Sequence, residues 1–279
     1  MRSLNRIALV GIVIGCLVGM TMAQEGESEA TATTRNMRPI VRGQHFAVAS
    51  MKAEATRAAE RILEKGGNAF DAIVAGQAVL GVVDAAMNGV GSDAVLLVYD
   101  SRAKRVYSIN AEAIDLAENG FPVGDSLARA IAASPKLRKY LAPGKWPRST
   151  LQGTLVMKDG QPHMVLGTPG ADQQVLLTMQ TLLNMIEFGM NVQQSIEAPK
   201  WLTRAFPASP FPHTMYPGDL SVESRIPEAV REQLLARGHK LRVTGPWSDG
   251  SLAAIVIDPK TGVLNAGTDP RTEASAWAW

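Results

Sequence analysis

Two glycine-punctuated blocks decide the fold of this 279-residue chain. The first begins as KGGNAFDA at residues 65–72 and continues as MNGVGSDAVLLVYD at residues 87–100. The second begins as GTPGADQQ at residues 167–174 and continues as FGMNVQQ at residues 188–194. Each block joins a periodic apolar segment to a turn in which a side chain would obstruct the backbone. Such a combination is more specific than an ordinary helix or strand signal.

Two consecutive helices are predicted around the first block. Residues 53–65 place alanines and Ile62 on one face, and Gly66 supplies a C-terminal cap. Asn68 then caps a second helix over residues 69–83. This second helix is apolar nearly all round, and we therefore expect it to be buried.

The other predicted strands occur mostly in hairpins, and the other helices occur in runs. Hairpins are expected within residues 94–110, 153–167 and 252–265, and further helices at residues 173–188, 192–198 and 227–237. This order favours an α+β fold with antiparallel sheets over a doubly wound parallel sheet.

The first residues have the pattern of a targeting segment. Arg2 and Arg6 precede an apolar run, and small residues around Ala23 form a cleavage site. We expect residues 1–23 to be a signal peptide, residues 24–42 to be a disordered lead-in, and residues 43–279 to form one domain. A lipoprotein signal ending at Cys16 is the alternative, and an uncleaved anchor is the third choice. The protein is accordingly predicted to be exported, to the periplasm or outside the cell.

Composition excludes several functional classes. Cleavage after Ala23 would remove Cys16, the only cysteine, and with it disulfides and thiolate catalysis. It would also remove two of the 28 basic residues and so balance the 26 acidic ones, leaving no basic field for nucleic acid. The histidines are scattered without metal-ligand spacing, so neither a metal nor another cofactor is expected; they are His45, His163, His213 and His239.

Several linked segments resemble the gamma-glutamyltranspeptidase (glutathione hydrolase) family, whose members have the N-terminal-nucleophile hydrolase fold. Segments similar to the family's large subunit are AVAS (47–50), ILEKGGNA (62–69), GVGSDA (89–94) and AIDLAENGFPV (113–123). Segments similar to its small subunit are RST (148–150), GTPG (167–170), FGMN (188–191), EAP (197–199) and GTDPR (267–271). The resemblance implies an αββα sandwich with helices on the outer faces, of which residues 43–147 would be large-subunit-like and residues 148–279 small-subunit-like.

The family reaction, by resemblance, is cleavage of a γ-glutamyl amide such as glutathione, with transfer to water or an amine. Its nucleophile is a threonine freed by self-cleavage, usually before a Thr-Thr-His-x-Ser sequence, whose own α-amine is the general base. This chain contains no Thr-His pair, and its one Thr-Thr pair, Thr33-Thr34, is followed by Arg35. We therefore interpret the chain as a member with internal blocks removed, whose sandwich is incomplete and whose catalytic residue is unknown.

Two pairs of candidate site residues follow from the resemblance. Ser149 and Thr150 match the hydroxyl pair that binds the α-carboxylate of the γ-glutamyl group, and Gly170 and Ala171 match the pair whose amides stabilise the oxyanion. Ala171 stands where the family has a second glycine. Without the family, the first pair would be ordinary polar residues entering a strand, and the second a strand-to-helix turn with Asp172 as N-cap.

Three outcomes remain open from the sequence. The chain is a gamma-glutamyltranspeptidase-like protein that is inactive as it stands, with γ-glutamyl small molecules as its ligands by resemblance. Alternatively it is a non-catalytic exported remnant that binds a small acid or a protein partner. The third outcome is that the removed blocks leave unpaired sheet edges, through which the chain self-associates.

Overall fold

The computed structural model describes residues 36–89, 94–110, 150–209 and 212–279. The predicted signal peptide, Ser149, and the boundary between residues 147 and 148 lie outside these ranges. The chain divides into two compact units, residues 1–36 and residues 37–279, and all elements below belong to the second. Within the described ranges, no helix has the length and apolar character that a membrane span requires.

Helices and strands alternate irregularly along the described chain. The helices are α1 (Ala53–Glu64), α2 (Ala69–Val83), α3 (Gln174–Ile186), α4 (Val192–Glu197) and α5 (Glu228–Ala236). The strands are β1 (Val41–Gly43), β2 (Ala47–Ser50), β3 (Val95–Asp100), β4 (Arg105–Asn110), β5 (Thr154–Lys158), β6 (Gln161–Gly167), β7 (Trp201–Thr203), β8 (Asp219–Glu223), β9 (Lys240–Thr244), β10 (Ala253–Ile257), β11 (Leu264–Thr268) and β12 (Ser275–Ala278).

Four layers build the centre of the molecule. The large sheet is antiparallel, with strand order β1-β11-β10-β6-β5. Helices α3 and α4 cover one of its faces. The small sheet, made of β2 and β12, covers the other face near β1, β10 and β11, and α1 packs over the small sheet. The layers therefore follow the order α, β, β, α, and the predicted α+β sandwich is confirmed.

The main hydrophobic core lies between the large sheet and its two helices. Alternation along β6 and β10 points every second side chain to this face, so apolar residues of the strands meet Leu177 of α3 and Ile196 of α4. The buried members are Met164, Leu166, Leu177, Val192, Ile196, Leu252 and Ala254.

Helix α2 begins where the sequence predicted. The Asn68 side chain accepts hydrogen bonds from the N–H groups of Phe70 (2.8 Å) and Asp71 (3.1 Å), and the Asp71 carboxylate completes a capping box. Its buried face packs on α1, where a Cβ on Gly76 would lie 3.4 Å from the Ala55 carbonyl oxygen. The predicted burial of the whole helix is wrong, because apolar residues of the opposite face, including Phe70, are exposed.

The ordered domain starts earlier than predicted. Strand β1 pairs with β11, although its first residues belong to the range assigned to the lead-in. The Glu197 carboxylate accepts hydrogen bonds from the backbone N–H groups of Met37 (2.7 Å) and Arg38 (2.9 Å). The Arg38 guanidinium in turn donates to the carbonyl oxygens of Asp269 (3.0 Å) and Ala274 (2.6 Å). Residues 37–42 are thus fixed by partners far along the chain, which a local absence of apolar periodicity cannot reveal.

The sheet made of β7, β8 and β9 contains one parallel pair, whereas antiparallel sheets were predicted. Strand β8 pairs antiparallel with β7 but parallel with β9. Helix α5 connects β8 to β9, and a parallel neighbour requires such a crossover because a tight hairpin reverses the strand direction. The sequence predicted α5 but did not predict β7 or β8.

Candidate functional site

The hairpin of β5 and β6 brings Thr150 and the Gly170–Ala171 pair to one end of the large sheet. Its register pairs Thr154 with Leu166 and Leu155 with Val165. Because the strands are antiparallel, the residues that precede β5 lie at the same end as the residues that follow β6. Thr150, which is half-buried, therefore enters the sheet at the end where the Gly170 turn leaves it.

The segment before β5 is attached to the helix that follows the turn. The Gln152 side-chain amide donates to the Thr178 hydroxyl on α3 at 2.8 Å. On the other side, the Gln173 amide donates to the Thr203 carbonyl of β7 at 3.1 Å. These bonds connect the candidate site to two neighbouring elements, and the sequence patterns did not predict either of them.

The turn from β6 into α3 has an unusual backbone. Gly170 has φ +131° and Ala171 has φ +49°, and the N–H of Gln173 donates to the Gly170 carbonyl at 2.9 Å. An alanine in the left-handed region costs about 1–2 kcal/mol because its Cβ approaches the following carbonyl. Ala171 therefore adopts, at this cost, a conformation that a glycine would adopt freely.

The amides of this turn are available to a ligand. Within the described residues, the backbone N–H groups of Gly170 and Ala171 have no protein acceptor, and Ala171 is exposed. They lie at the start of the 3₁₀ turn Ala171–Gln173, which leads into α3, and N–H groups at such an N-terminus favour negative charge. With the Thr150 hydroxyl at the same end of the sheet, the arrangement can bind a carboxylate or a developing oxyanion.

Asp172 is not the N-cap that the plain reading of the turn predicted. Among the residues that the structure describes, no side chain caps the N-terminus of the 3₁₀ turn or of α3. The Asp172 carboxylate instead accepts a hydrogen bond from the Ser209 N–H at 2.7 Å and another from the Ser209 hydroxyl. Asp172 therefore fixes the crossing near residue 209 beside the candidate site, a long-range role that one local pattern cannot show.

A buried charge cluster supports the sheet at this same end. The Arg271 guanidinium donates to both oxygens of Glu223, at 2.8 and 2.9 Å, and to Asp269 at 2.9 Å. Asp269 directly follows Thr268 of β11, which lies next to Ala253 and, beyond it, Gly167. The cluster is thus close to the β6 turn, but its charged groups are paired with one another, and its role is structural.

Protonation within the cluster reflects its burial. Lys200 is fully buried and donates to the Ser195 carbonyl at 2.9 Å. Burial, together with the neighbouring positive charge of Arg271, lowers the pKa of Lys200 to about 8. Burial opposes ionisation of Glu223, but its hydrogen bonds with Arg271 outweigh this effect and lower the pKa of Glu223.

Comparison with known proteins identifies the class of this αββα sandwich. The family described as gamma-glutamyltranspeptidase matches residues 55–113 and 131–279, which is most of the chain. The chain belongs to the gamma-glutamyltranspeptidase family.

Individual relatives match parts of the chain. A glutathione hydrolase proenzyme of Pseudomonas sp. (strain A14) is 42% identical over 69 residues, 25% of this chain and 12% of the relative. An acylase ACY 1 proenzyme of Pseudomonas sp. (strain SE83) is 34% identical over 119 residues, 43% of this chain and 19% of the relative. The crystal structure of cephalosporin acylase from Bacillus halodurans is 32% identical, with a TM-score of 0.38, over 45% of this chain and 22% of that one. The chain thus spans less than a fifth of the length of these two curated relatives.

Proposed function

We propose that this chain is a gamma-glutamyltranspeptidase-like protein that keeps part of a γ-glutamyl-binding edge and performs neither hydrolysis nor transfer as it stands. The observation that carries the proposal is the placement of Thr150 and the Gly170 turn at the same end of the β5–β6 hairpin. The ligand class is a small γ-glutamyl compound, whose α-carboxylate needs donors of this kind.

The absence of turnover follows from the chemistry of the nucleophile. The family's threonine must supply both a hydroxyl and a free α-amine, and both arise from self-cleavage. This chain offers no Thr-His pair at which such a cleavage would occur. The amides of Gly170 and Ala171 could still stabilise an oxyanion, but no attacking group is supplied to create one.

Binding and turnover can be tested separately on the purified full chain. We expect one intact polypeptide by mass spectrometry and no release of aniline from a γ-glutamyl anilide. We expect L-glutamate binding by calorimetry, weakened several-fold in Thr150→Val, which removes one donor at nearly constant volume. Thr261→Val is the matched control, because Thr261 lies in the β10–β11 turn and its hydroxyl accepts from the Val263 N–H.

Two results would contradict the proposal in different ways. Two fragments, one with a new N-terminal threonine, together with anilide hydrolysis, would show that a nucleophile exists. Equal glutamate affinity in the wild type and Thr150→Val would show that this hydroxyl does not bind the carboxylate.

Export is the proposed location of the protein. Its support is the basic, apolar and small-residue order of residues 1–23. N-terminal sequencing of protein recovered outside the cytoplasm should begin at Gln24. A lipid-modified N-terminus at Cys16 would favour the lipoprotein alternative, and an intact Met1 would contradict cleavage.

A further inference from the structure

The small sheet has an open edge at β12. Phe46 and Trp279 exchange backbone hydrogen bonds at 3.2 and 3.1 Å, and hydrogen-bonded pairs alternate with non-bonded pairs along an antiparallel ladder. Trp277 therefore bonds towards β2, whereas Ala276 and Ala278 direct their N–H and C=O groups away from it. Among the described strands, β12 pairs with β2 alone. The outer groups of Ala276 and Ala278 can thus pair with one further strand.

A groove runs along this edge beside helix α1. Its volume is about 420 Å³, and it is lined by one flank of α1 and by residues 275–277 of β12. We call it the α1–β12 groove. The charged part of its lining comes from α1 and consists of Arg57, Glu60, Arg61 and Glu64. Strand β12 itself carries neither a charge nor a proline, the usual features that protect an edge strand from pairing. An unprotected strand edge therefore lies inside a groove of peptide size.

Two contacts fix how α1 is aligned with β12. The Lys52 ammonium, directly before α1, pairs with the Glu273 carboxylate at 2.5 Å. One turn further on, the Thr56 hydroxyl donates to the Ser275 carbonyl at 3.0 Å. Four residues of a helix rise about 6.0 Å and two residues of a strand about 6.6 Å, so the helix and the strand advance together. Each turn of α1 therefore corresponds to two residues of β12 along the groove.

Opposite charges of α1 lie at different levels of the α1–β12 groove. By this alignment, Arg57 lies at the level of Ser275, and Glu60 lies at the level of Trp277. Trp277 is 43% exposed and shares the α1 side of the sheet with Ser275 and Glu273, because alternate strand residues face the same side. Within the described residues, Arg57 and Glu60 form no ion pair. The groove thus offers a carboxylate and an indole ring at one level and a guanidinium at the other.

We propose that the α1–β12 groove binds an extended segment of a partner protein, which pairs antiparallel with β12 and carries a basic residue two positions before an acidic one. In this pairing, the residue opposite Trp277 and the residue opposite Ser275 both point to the α1 side. The basic side chain then lies over the Trp277 ring and beside Glu60, and the acidic side chain lies beside Arg57. Main-chain hydrogen bonds supply the affinity, and the two charged side chains supply the register and direction.

Charge and shape favour a strand over other occupants of the groove. Two positive and two negative side chains of α1 line it, so its field is balanced and recruits neither a free anion nor nucleic acid. A helix is about 10 Å wide and cannot reach the outer backbone groups of β12, whereas a strand lies about 4.8 Å from its neighbour. A contact of this size is below the roughly 1,000 Å² of a stable interface, so the binding is weak and reversible. The proposal is independent of the carboxylate-binding edge, which lies on the large sheet.

Peptides of one composition provide the first test. The capped peptide Thr-Val-Arg-Val-Glu-Val-Thr has the required charge order, and the same peptide with Arg and Glu exchanged is the matched control. By calorimetry with the purified full chain, we expect the first peptide to bind about fivefold more tightly, because each exposed charge pair contributes only modestly. Methylation of the backbone nitrogen of the central valine, which faces Ala276, should abolish binding. Methylation of the glutamate nitrogen, which points away from β12, should not.

Variants of the protein locate the binding site. The double variant Arg57→Glu/Glu60→Arg exchanges the two charges and should reverse the preference between the two peptides, with an unchanged circular dichroism spectrum. Glu228→Arg, an exposed change on α5, is the control and should keep the wild-type preference.

Several results would overturn the proposal. They are the absence of binding, equal affinity for the two peptides, a preference that the double variant does not reverse, and unchanged binding of the peptide methylated at its central valine. A dimer of the free protein that dissociates in Ala276→Pro would assign the β12 edge to a second copy of the chain, and it would also overturn the proposal.

Discussion

Replacing Arg271 with methionine should destabilise the protein more than any single exposed substitution. The Arg271 side chain is 2% exposed, and the Glu223 and Asp269 side chains with which it pairs are fully buried. Its remaining donors bind the carbonyl oxygens of Ile196 and Ala198, both at 3.3 Å. Methionine keeps most of the aliphatic volume but none of these donors, so two buried carboxylates lose their main partner.

The expected cost follows from this geometry. Removing one partner of a buried ion pair costs about 3–5 kcal/mol, because the other charge stays in a poorly solvating interior. Here some compensation remains. Arg225 still donates to Glu223 at 2.7 Å, and the backbone N–H of residue 271 still donates to Asp269 at 3.0 Å. We therefore expect the free energy of unfolding to fall by about 3 kcal/mol, at the lower end of that range.

Urea denaturation of the full chain at pH 7 measures this loss. Arg225→Met is the matched control, because Arg225 pairs with the same Glu223 but is partly exposed and lies over the Trp247 ring at 3.5 Å. We expect the control to cost about 1 kcal/mol. If Arg271→Met does not fold, Arg271→Lys, which keeps the charge but loses the two-pronged contact, should cost about 1–2 kcal/mol. An Arg271→Met protein within 1 kcal/mol of the wild type, or a larger loss in Arg225→Met, would refute the reasoning.

Three smaller predictions concern single side chains. The pKa of Lys200 falls to about 8 in the folded protein, so the unfolded chain binds more protons between that pH and about 10.4. The free energy of unfolding of the wild type should therefore rise with pH by up to about 3 kcal/mol relative to Lys200→Met. Urea midpoints that change equally in the two proteins at pH 7.5, 9 and 10.5 would contradict this. Ala171→Gly relieves a positive φ and should stabilise by about 0.5–1 kcal/mol after the backbone entropy of glycine is subtracted, and an unchanged melting temperature would count against strain. Asn68→Ala removes the α2 cap and should cost about 1 kcal/mol, measured by urea, whereas Asn68→Asp should restore most of it.

Local signals were sufficient where structure is decided locally. Asn68 and the apolar period after it defined α2 from first to last residue, because a cap and a periodic face both lie within one segment. The β5–β6 hairpin was predicted within residues 153–167, and its turn residues Asp159 and Gly160 both adopt positive φ. The two halves of the candidate site could be proposed because a family resemblance marked Thr150 and Gly170.

Other features depend on partners that the sequence does not place. Strand β8 carries Asp219, Ser221 and Glu223 at alternate positions, which predicts an exposed face, yet Glu223 is fully buried against Arg271. The burial of α2 was predicted from its own composition, but burial requires a covering element. Arg38 gives no signal at all, since its acceptors are carbonyl oxygens more than 200 residues away.

The order of strand pairing has a consequence for how this chain reaches its native state. β1 pairs with β11 and β2 pairs with β12, so the partners of the earliest described strands are synthesised more than 200 residues after them. Contacts of such long sequence separation form slowly, because a large loop must close before they contribute any stability. Neither central sheet can be completed on the ribosome while β11 and β12 are still being made. Both central sheets therefore form late, once β11 and β12 have been synthesised.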